Sequence, residues 1–394
     1  MEKLDVVLVG VGGYANMYAN YALDNAINVV GIVDPRPEGC TRLNEFVDKG
    51  ISVYYNIDDF FKEHTADLAV ITTPIHCHTP NIVSALKHGT NVLAEKPLCG
   101  DEKEIEFIDA AAKKHGSFAY IGYQWSFSKS ILGLKKDILS GRFGKCLSMK
   151  TLVLWPRPER YFSRSWSGKV CSDSGALIYD SIANNAAAHY LHNLLFLIGD
   201  NGKSKMPAEI NAQLFRTYDI ETFDTIKLDM KFDTGTVAHY IASHVTNQEV
   251  DPIFELEFEK ARVYYAYKKT ALSEKLMPAE YTKYDNIMAL TDTNENIFYG
   301  SPFNPVEVED KITAAIESAQ AGKAFDYACG YEAAGVHTRV INYIHNNFEI
   351  KNKSDYIIEV RDCGVWGKQL SHRVIKGLGE ELMECYKNPT LKIK

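Results

Sequence analysis

In the first third of the chain, apolar residues gather into short unbroken runs, and amphipathic stretches separate each run from the next. The runs are Val6 to Val9, "INVVGIVDP", "DLAVITTP", "NVLAEKP" and "SFAYIGY". Unbroken runs of this length predict strands buried on both faces, where alternation would predict one wet face. Between them, "YANMYANYALDN", "TRLNEFVDKG", "HTPNIVSALKHG" and "DEKEIEFIDAAAKKHG" carry helical spacing, while "YYNIDDFFKEH" reads as a turn. Strands alternating with helices predict a doubly wound parallel sheet that closes near Gly122. After the helix "SILGLKKDILSGRFGK" the texture changes. From Leu147 to about Tyr267, Tyr, Val, Phe and Thr alternate along the chain, which predicts antiparallel strands of one open sheet. One long helical piece, "ALIYDSIANNAAAHYLHNLLFLIG", interrupts them, and the tail returns to helices in "EDKITAAIESAQAG" and "YEAAGVHTRVINYIHNN" before a polar, Lys-rich end.

Length supports two domains, since 394 residues exceed what one core usually holds. The net charge of −8 and the lack of any Lys/Arg-rich block predict no nucleic-acid partner. No stretch reads as a signal or a membrane span, so the expectation is a cytoplasmic protein with no membrane partner. Eight cysteines stand singly with no C-x-x-C pair, which suggests neither a disulfide framework nor a metal site.

The first run ends in "VGVGGYA". Gly10, Gly12 and Gly13 permit a tight turn and a close backbone approach, and the spacing Gly10-x-Gly12-x-x-Ala15 matches the dinucleotide fingerprint at a helix start. Phosphate suits that place because the helix N-terminus presents unpaired N–H groups. The second strand ends in Asp34, about 20 residues on, where the fingerprint places an acid against the ribose hydroxyls. Asp34 would repel a 2′-phosphate and so favour NAD over NADP, although Arg36 nearby would soften this. Asp34-Pro35 is also a good turn initiator in its own right.

Together with "ITTPIHCHTPNIVSALKHG", "AEKPLCG" and "YIGYQWSFSKSILGLKKDILSGRFGK", these features resemble the glucose-fructose oxidoreductase / inositol dehydrogenase / MocA family of NAD(P)-dependent oxidoreductases. The resemblance is close over residues 1 to about 200. It implies an α/β Rossmann domain over 1–122 and, over 123–394, an α+β domain for substrate binding and oligomerisation with a large open, mainly antiparallel sheet. It further implies that Lys96, on the Glu95-Lys96-Pro97 turn, sits by the nicotinamide and the substrate hydroxyl. Gly10, Gly12, Gly13, Tyr14, Ala15, Asp34, Arg36, Thr73, Pro74, His76, Glu95, Lys96, Pro97 and Gln124 are the implied cofactor contacts. His78 is a weaker one, since Thr79-Pro80 starts the next helix unaided.

Family members carry Asp-x-x-x-His on a helix of the second domain, and here two registers compete. From the front, Asp180 is the aspartate and Asn184 replaces the histidine. From the closing "LIG", Asn185 stands for the aspartate and His189 is the histidine, with His192 one turn on. At ~100° per residue Asn185, His189 and His192 share one face, and His189 is favoured as partner of Lys96. "WPRPERYFSRSWSGK" offers Arg157, Arg160, Tyr161, Arg164 and Trp166 for a polyhydroxylated ring, or else a sheet-edge loop held by its aromatics. His244, Glu332 and His337 read as packing residues.

The resemblance implies hydride transfer between NAD and a secondary alcohol of a sugar, glycoside or cyclitol. Redox-neutral cleavage or isomerisation of a glycoside or anhydrosugar uses the same parts. A catalytically silent cofactor-binding sensor is the reading from another class. An uncovered Tyr- and Val-rich sheet face predicts a homodimer or homotetramer.

Overall fold

A computed structural model describes residues 4–267, 270–278, 281, 286–363 and 367–394. Six parallel strands, β1 (Asp5–Val9), β2 (Asn28–Val33), β3 (Val53–Tyr54), β4 (Leu68–Ile71), β5 (Asn91–Ala94) and β6 (Ala119–Ile121), lie in the order 3-2-1-4-5-6. The order reverses between β1 and β4, which opens a crevice at their carboxyl ends. All of β4 is buried, and β1 and β5 bury all but their first residue. The helices α1 (Asn16–Asp24), α2 (Leu43–Asp48), α3 (Ile57–Glu63), α4 (His78–Lys87) and α5 (Glu104–His115) connect the strands. Helix α3 corrects the expected turn at "YYNIDDFFKEH". Asn56 caps it by accepting from the Asp59 amide at 2.9 Å, and Asp58 and Asp59 suit its first turn. Its Phe60 occupies the space that a side chain on Gly31 would need: a Cβ there would stand 2.6 Å from the ring.

The second sheet has nine strands in the order β14-β13-β12-β11-β7-β10-β9-β8-β15. They are β7 (Cys146–Leu154), β8 (Glu209–Arg216), β9 (Thr225–Lys231), β10 (Val237–Ser243), β11 (Val250–Phe258), β12 (Ala261–Ala266), β13 (Ile287–Thr291), β14 (Asn296–Gly300) and β15 (Ile350–Asn352). The pairs β7–β10 and β8–β15 are parallel and the others antiparallel. A hairpin of β16 (Ile357–Cys363) and β17 (Gly367–Val374) stands in the tail, where only helices were expected. The remaining helices are α6 (Lys129–Leu139), α7 (Ala188–Leu197), α8 (Glu309–Gln320), α9 (Tyr331–Asn347) and α10 (Leu378–Lys387). Leu152, Leu154 and Ile241 cluster with Leu378, Leu382 and Tyr386 of α10.

Two expectations fail here. The long helix shrinks to α7, because residues 178–187 spend their polar groups elsewhere. Tyr179 takes a left-handed φ of 44°, the Asp180 carboxylate accepts from the Gly168 amide at 2.6 Å, and Asn184 donates to the carbonyls of Ile178 and Tyr179. Side chains that satisfy nearby backbone compete with helix formation. Asn185 therefore precedes the helix, and His192 is fully buried and stacked on Phe196, so the proposed polar face of Asn185, His189 and His192 does not exist. The second failure is the uncovered Tyr- and Val-rich face. Tyr240, Val263, Tyr264 and Tyr265 are buried. Cross-strand pairs such as Lys150–Glu255 at 2.7 Å and His239–Asp229 at 2.7 Å line a groove of about 830 Å³ instead.

Packing divides the described chain into two compact units. One runs through Ser128 and includes Asn201–Lys203 and Phe303–Thr338; the other comprises Lys129–Asp200, Ser204–Pro302 and Arg339–Lys394. The stretch 303–338, assigned by the sequence to the second domain, packs with the first sheet. It does so through the edge strand β6: the Ile121 amide donates to Cys329 O at 2.9 Å, and the Tyr120 and Ser318 hydroxyls meet at 2.8 Å.

Burial pushes the imidazoles of His244, His337 and His345 down to about 3. Unfolded histidine takes its proton near ~6.5. Between that value and the folded one the unfolded chain binds more protons, so stability falls as pH falls from ~6.5 toward 3, by at most about 1.4 kcal/mol per pH unit per histidine. Urea unfolding should accordingly show a lower midpoint at pH 5 than at pH 7.5. Equal midpoints would contradict the burial of neutral imidazoles.

Candidate functional site

The candidate residues fall on both units, and each group is described within its own. In the first, Gly10 turns the chain out of β1 with φ 84°, and a Cβ there would stand 3.0 Å from the Thr72 backbone. Gly12 lies against Gly39, whose own Cβ would be 3.1 Å from the Gly12 Cα. Gly13 has φ 60° and open space where its side chain would be. Ala15 is buried under the turn, and no side chain caps the Gly13–Ala15 turn; the Ala15 amide bonds back to Gly12 O, and the Asn16 amide to Gly13 O and Tyr14 O, so an anion would meet the glycine turn ahead of α1. The Asp34 carboxylate is held in place from both sides: one oxygen accepts from the Val11 amide at 2.9 Å, the other from the Arg36 amide at 2.8 Å. Arg36 itself is exposed. Asn16, which the motif does not include, staples the turn by donating to Gly13 O and Gly39 O and accepting from the Thr41 amide.

After β4, Thr73 and His76 each bury a polar side-chain atom, Oγ1 and Nδ1, that has no partner in the protein, and Pro74 between them is exposed. A glycine turn with no side-chain cap, room at Gly13, a fixed acid after β2 and unfilled polar atoms after β4 fit a dinucleotide along the crevice. Gln124 follows β6 and is half-buried. His78 is fully buried and bridges two turns, with Nδ1 2.8 Å from Pro97 O and Nε2 2.8 Å from Thr73 O. Burial lowers its pKa, and a neutral ring has one N–H for the two carbonyls. It is thus a brace between the loops that carry Thr73 and Lys96.

The Glu95-Lys96-Pro97 turn leaves β5 with a cis bond before Pro97. Glu95, expected beside the cofactor, points inward. It accepts from the Tyr18 hydroxyl at 2.7 Å, the Lys311 ammonium and the Lys96 amide at 3.1 Å. Burial pushes its carboxyl up, but Lys311, Tyr18 and Lys96 pull harder, and the balance lies below the usual carboxylate range. Gly122 leaves room for it, since a Cβ there would stand 2.9 Å from the Glu95 Oε1. Tyr14 joins the same cluster at its rim by donating to Glu307 at 3.1 Å. His337 is buried, with its ring 5.4 Å from Tyr123, and the Lys96 charge lowers its pKa after burial itself. Lys311 and Tyr18 carried no sequence signal. Each sits at an ordinary helical position, and only the fold brings them to Glu95.

In the second unit the two registers meet. Asp180 accepts from Asn185 at 2.8 Å, so the candidate acids of both alignments form one pair. Asn184 is buried and braces the turn, whereas His189 is half-buried in the first turn of α7. Tyr161 is buried beside this pair. Burial and then the Asp180 charge raise its hydroxyl pKa, with Arg157 and Arg164 pulling back. The Arg157 guanidinium lies over Trp155 and Tyr161, and Arg164 over Tyr161 and Trp166. The buried Arg157 Nε has no partner in the protein. Arg160 is exposed. His244 is a packed residue with Nδ1 2.7 Å from Trp155 O, and Glu332 is an exposed partner of Lys203 at 3.4 Å. Among the described residues no cluster of His, Cys, Asp and Glu could hold a metal ion, and no helix is long and apolar enough to cross a membrane.

Two family models match this chain. The oxidoreductase family, NAD-binding Rossmann fold, matches residues 4–123, and the GFO/IDH/MocA C-terminal domain matches residues 131–264. Among curated proteins, 2,7-anhydro-N-acetylneuraminate hydratase of Mediterraneibacter gnavus is 24% identical over 53% of this chain and 52% of its own length. Inositol 2-dehydrogenase of Corynebacterium glutamicum is 28% identical over 29% of this chain and 35% of its own. The chain thus spans about half the length, or less, of these relatives. Among solved structures, the WlbA dehydrogenase of Chromobacterium violaceum in complex with NADH and UDP-GlcNAcA aligns with a TM-score of 0.67 at 18% identity, over 88% of this chain and 94% of that one. Levoglucosan dehydrogenase in complex with NADH aligns with a TM-score of 0.67 at 16% identity, over 87% and 96%. With its glycine turn, its Glu-Lys-Pro loop and both matched domains, this chain belongs to the GFO/IDH/MocA family of NAD-binding oxidoreductases.

Proposed function

We propose that the chain transfers hydride between NAD and a secondary alcohol of a sugar, glycoside or cyclitol. The observation that carries this reading is Lys96, placed by the Glu95 cluster at the carboxyl end of a strand of an NAD-binding sheet. When bound, the nicotinamide supplies or accepts the hydride. Lys96 holds its ammonium at the substrate hydroxyl and steadies the charge that develops on oxygen. His189 takes the hydroxyl proton as general base, a role open to an imidazole. The Asp180–Asn185 pair sets the turn that precedes His189, and Asn184 is a brace with no proton to exchange. Lys96, Arg157, Arg160, Tyr161, Trp166, Asn184, His189 and His192 were the sequence candidates for substrate. The exposed Arg160 and the half-buried Arg157 and Trp166 support three of them, Tyr161 is buried, Asn184 is held as a brace, and burial removes His192 from direct contact.

Redox-neutral cleavage of an anhydrosugar is the second reading, favoured by the similarity to the anhydro-N-acetylneuraminate hydratase. It uses the same residues and differs in leaving no free NADH. Assembly as a homodimer or homotetramer belongs to the proposal, now through the charged groove on the sheet; sedimentation velocity showing only monomer at micromolar concentration would remove it.

A screen of sugars and cyclitols with NAD, followed at 340 nm, tests the activity. Lys96→Ala and His189→Ala should each lower turnover by about 10² or more with NADH affinity nearly unchanged, and Asn184→Ala should do much less. A crippled Asn184→Ala beside a mild His189→Ala would restore the front register. The fluorescence titrations that measure affinity also decide the cofactor. Asp34 should favour NADH over NADPH by at least about tenfold, or ~1.4 kcal/mol, and equal affinities would take Asp34 out of that role.

A further inference from the structure

The Glu95–Lys311 pair links the reactive loop to a helix more than two hundred residues away in sequence. The Lys311 side chain is wholly buried and the Glu95 carboxylate nearly so. The Glu95 carboxylate faces Tyr18 on α1, Lys311 on α8 and the amide of Lys96 on its own loop. Tyr14 and Glu307 stand behind Lys311, and His78 and Tyr123 feel the Glu95 charge from α4 and from the segment after β6. His337 on α9 in turn feels the Lys96 charge. Neither Lys311 nor Tyr18 belongs to the motifs that carry the family resemblance.

We infer that Lys311 is a positioning residue for Lys96: by offsetting the Glu95 charge inside the protein, it fixes the loop that carries Lys96 and sets the charge that Lys96 feels from that side. The inference rests on Lys96 being the reactive cation of the proposed function. The reasoning is electrostatic. In the wild type, Lys311 offsets part of the Glu95 charge that Lys96 feels. If Lys311 is removed, Glu95 has Lys96 as its remaining cation, and attraction raises the Lys96 pKa and draws its ammonium inward. If Glu95 is made neutral, Lys311 is uncompensated and repulsion lowers the Lys96 pKa. If both go, the balance returns.

The test needs neither substrate nor cofactor. The full-length protein is labelled with trace acetic anhydride across pH, and the extent at Lys96 is read by peptide mass spectrometry, which gives the Lys96 titration midpoint. Lys311→Met should raise that midpoint and Glu95→Gln should lower it, each by about half a unit to one unit. The double variant and Lys311→Arg should both label as wild type. Midpoints that do not move in the two single variants, with circular dichroism unchanged, overturn the inference and leave the pair a purely structural one. Should a single variant fail to fold, recovery of folding and of the wild-type midpoint in the double variant supports the inference, and a displaced midpoint there overturns it. Because no turnover is read, failure here is separate from failure of the oxidoreductase reading, which the NAD-coupled screen decides.

Discussion

A carboxylate has been taken out of water one residue before the proposed catalytic lysine, and much of the first unit is arranged around keeping it charged. An ionised group buried alone costs several kcal/mol even after relaxation, and its removal from one partner is worse than removal of both. Glu95 meets that cost with Lys311, Tyr18 and the Lys96 amide, and Gly122 supplies the volume. The partners come from α1, α8 and the loop after β5, so the returning stretch 303–338 has to pack on the first sheet for the loop to be built. Its anchors on β6, Cys329 and Ser318, are the backbone and side-chain counterparts of that requirement.

A second constraint acts on the other side of Lys96. His78 spans the Thr73 and Pro97 carbonyls, so the loops after β4 and β5 cannot move independently. The Asp34 carboxylate is likewise pinned by two amides. These groups are oriented by the protein itself, which lowers the ordering cost of binding. The unfilled polar atoms, Thr73 Oγ1 and His76 Nδ1, are what remains for a ligand to satisfy.

Five strands of the first sheet were legible because each is a continuous apolar run, whereas the two-residue, partly exposed β3 gave no such signal; the glycine turn was legible because glycine is required there for shape. The short helix after Asn56 was misread: two aromatics and two acids look like a turn until Phe60 is seen to fill the gap at Gly31. The helix around His189 was overextended for a converse reason, since Ala-rich sequence has high helix propensity while Asp180 and Asn184 bind backbone from outside a helix. A helical-wheel argument then placed His192 on a polar face that burial contradicts. The Lys311–Glu95 contact was illegible in principle. Long-range ion pairs leave no periodicity, and a lysine on an amphipathic helix reads as solvated.

The most direct test of the central claim is native-state hydrogen exchange of the Lys96 amide, which donates to Glu95 Oε2. Its rate is compared with that of the Leu93 amide in β5, in wild type and in Lys311→Met. If the buried pair holds the loop, the Lys96 amide exchanges at least about tenfold faster in the variant once normalised to Leu93, because a protonated or displaced Glu95 no longer accepts from it. An unchanged ratio would contradict the account and place the order of the loop in the sheet alone.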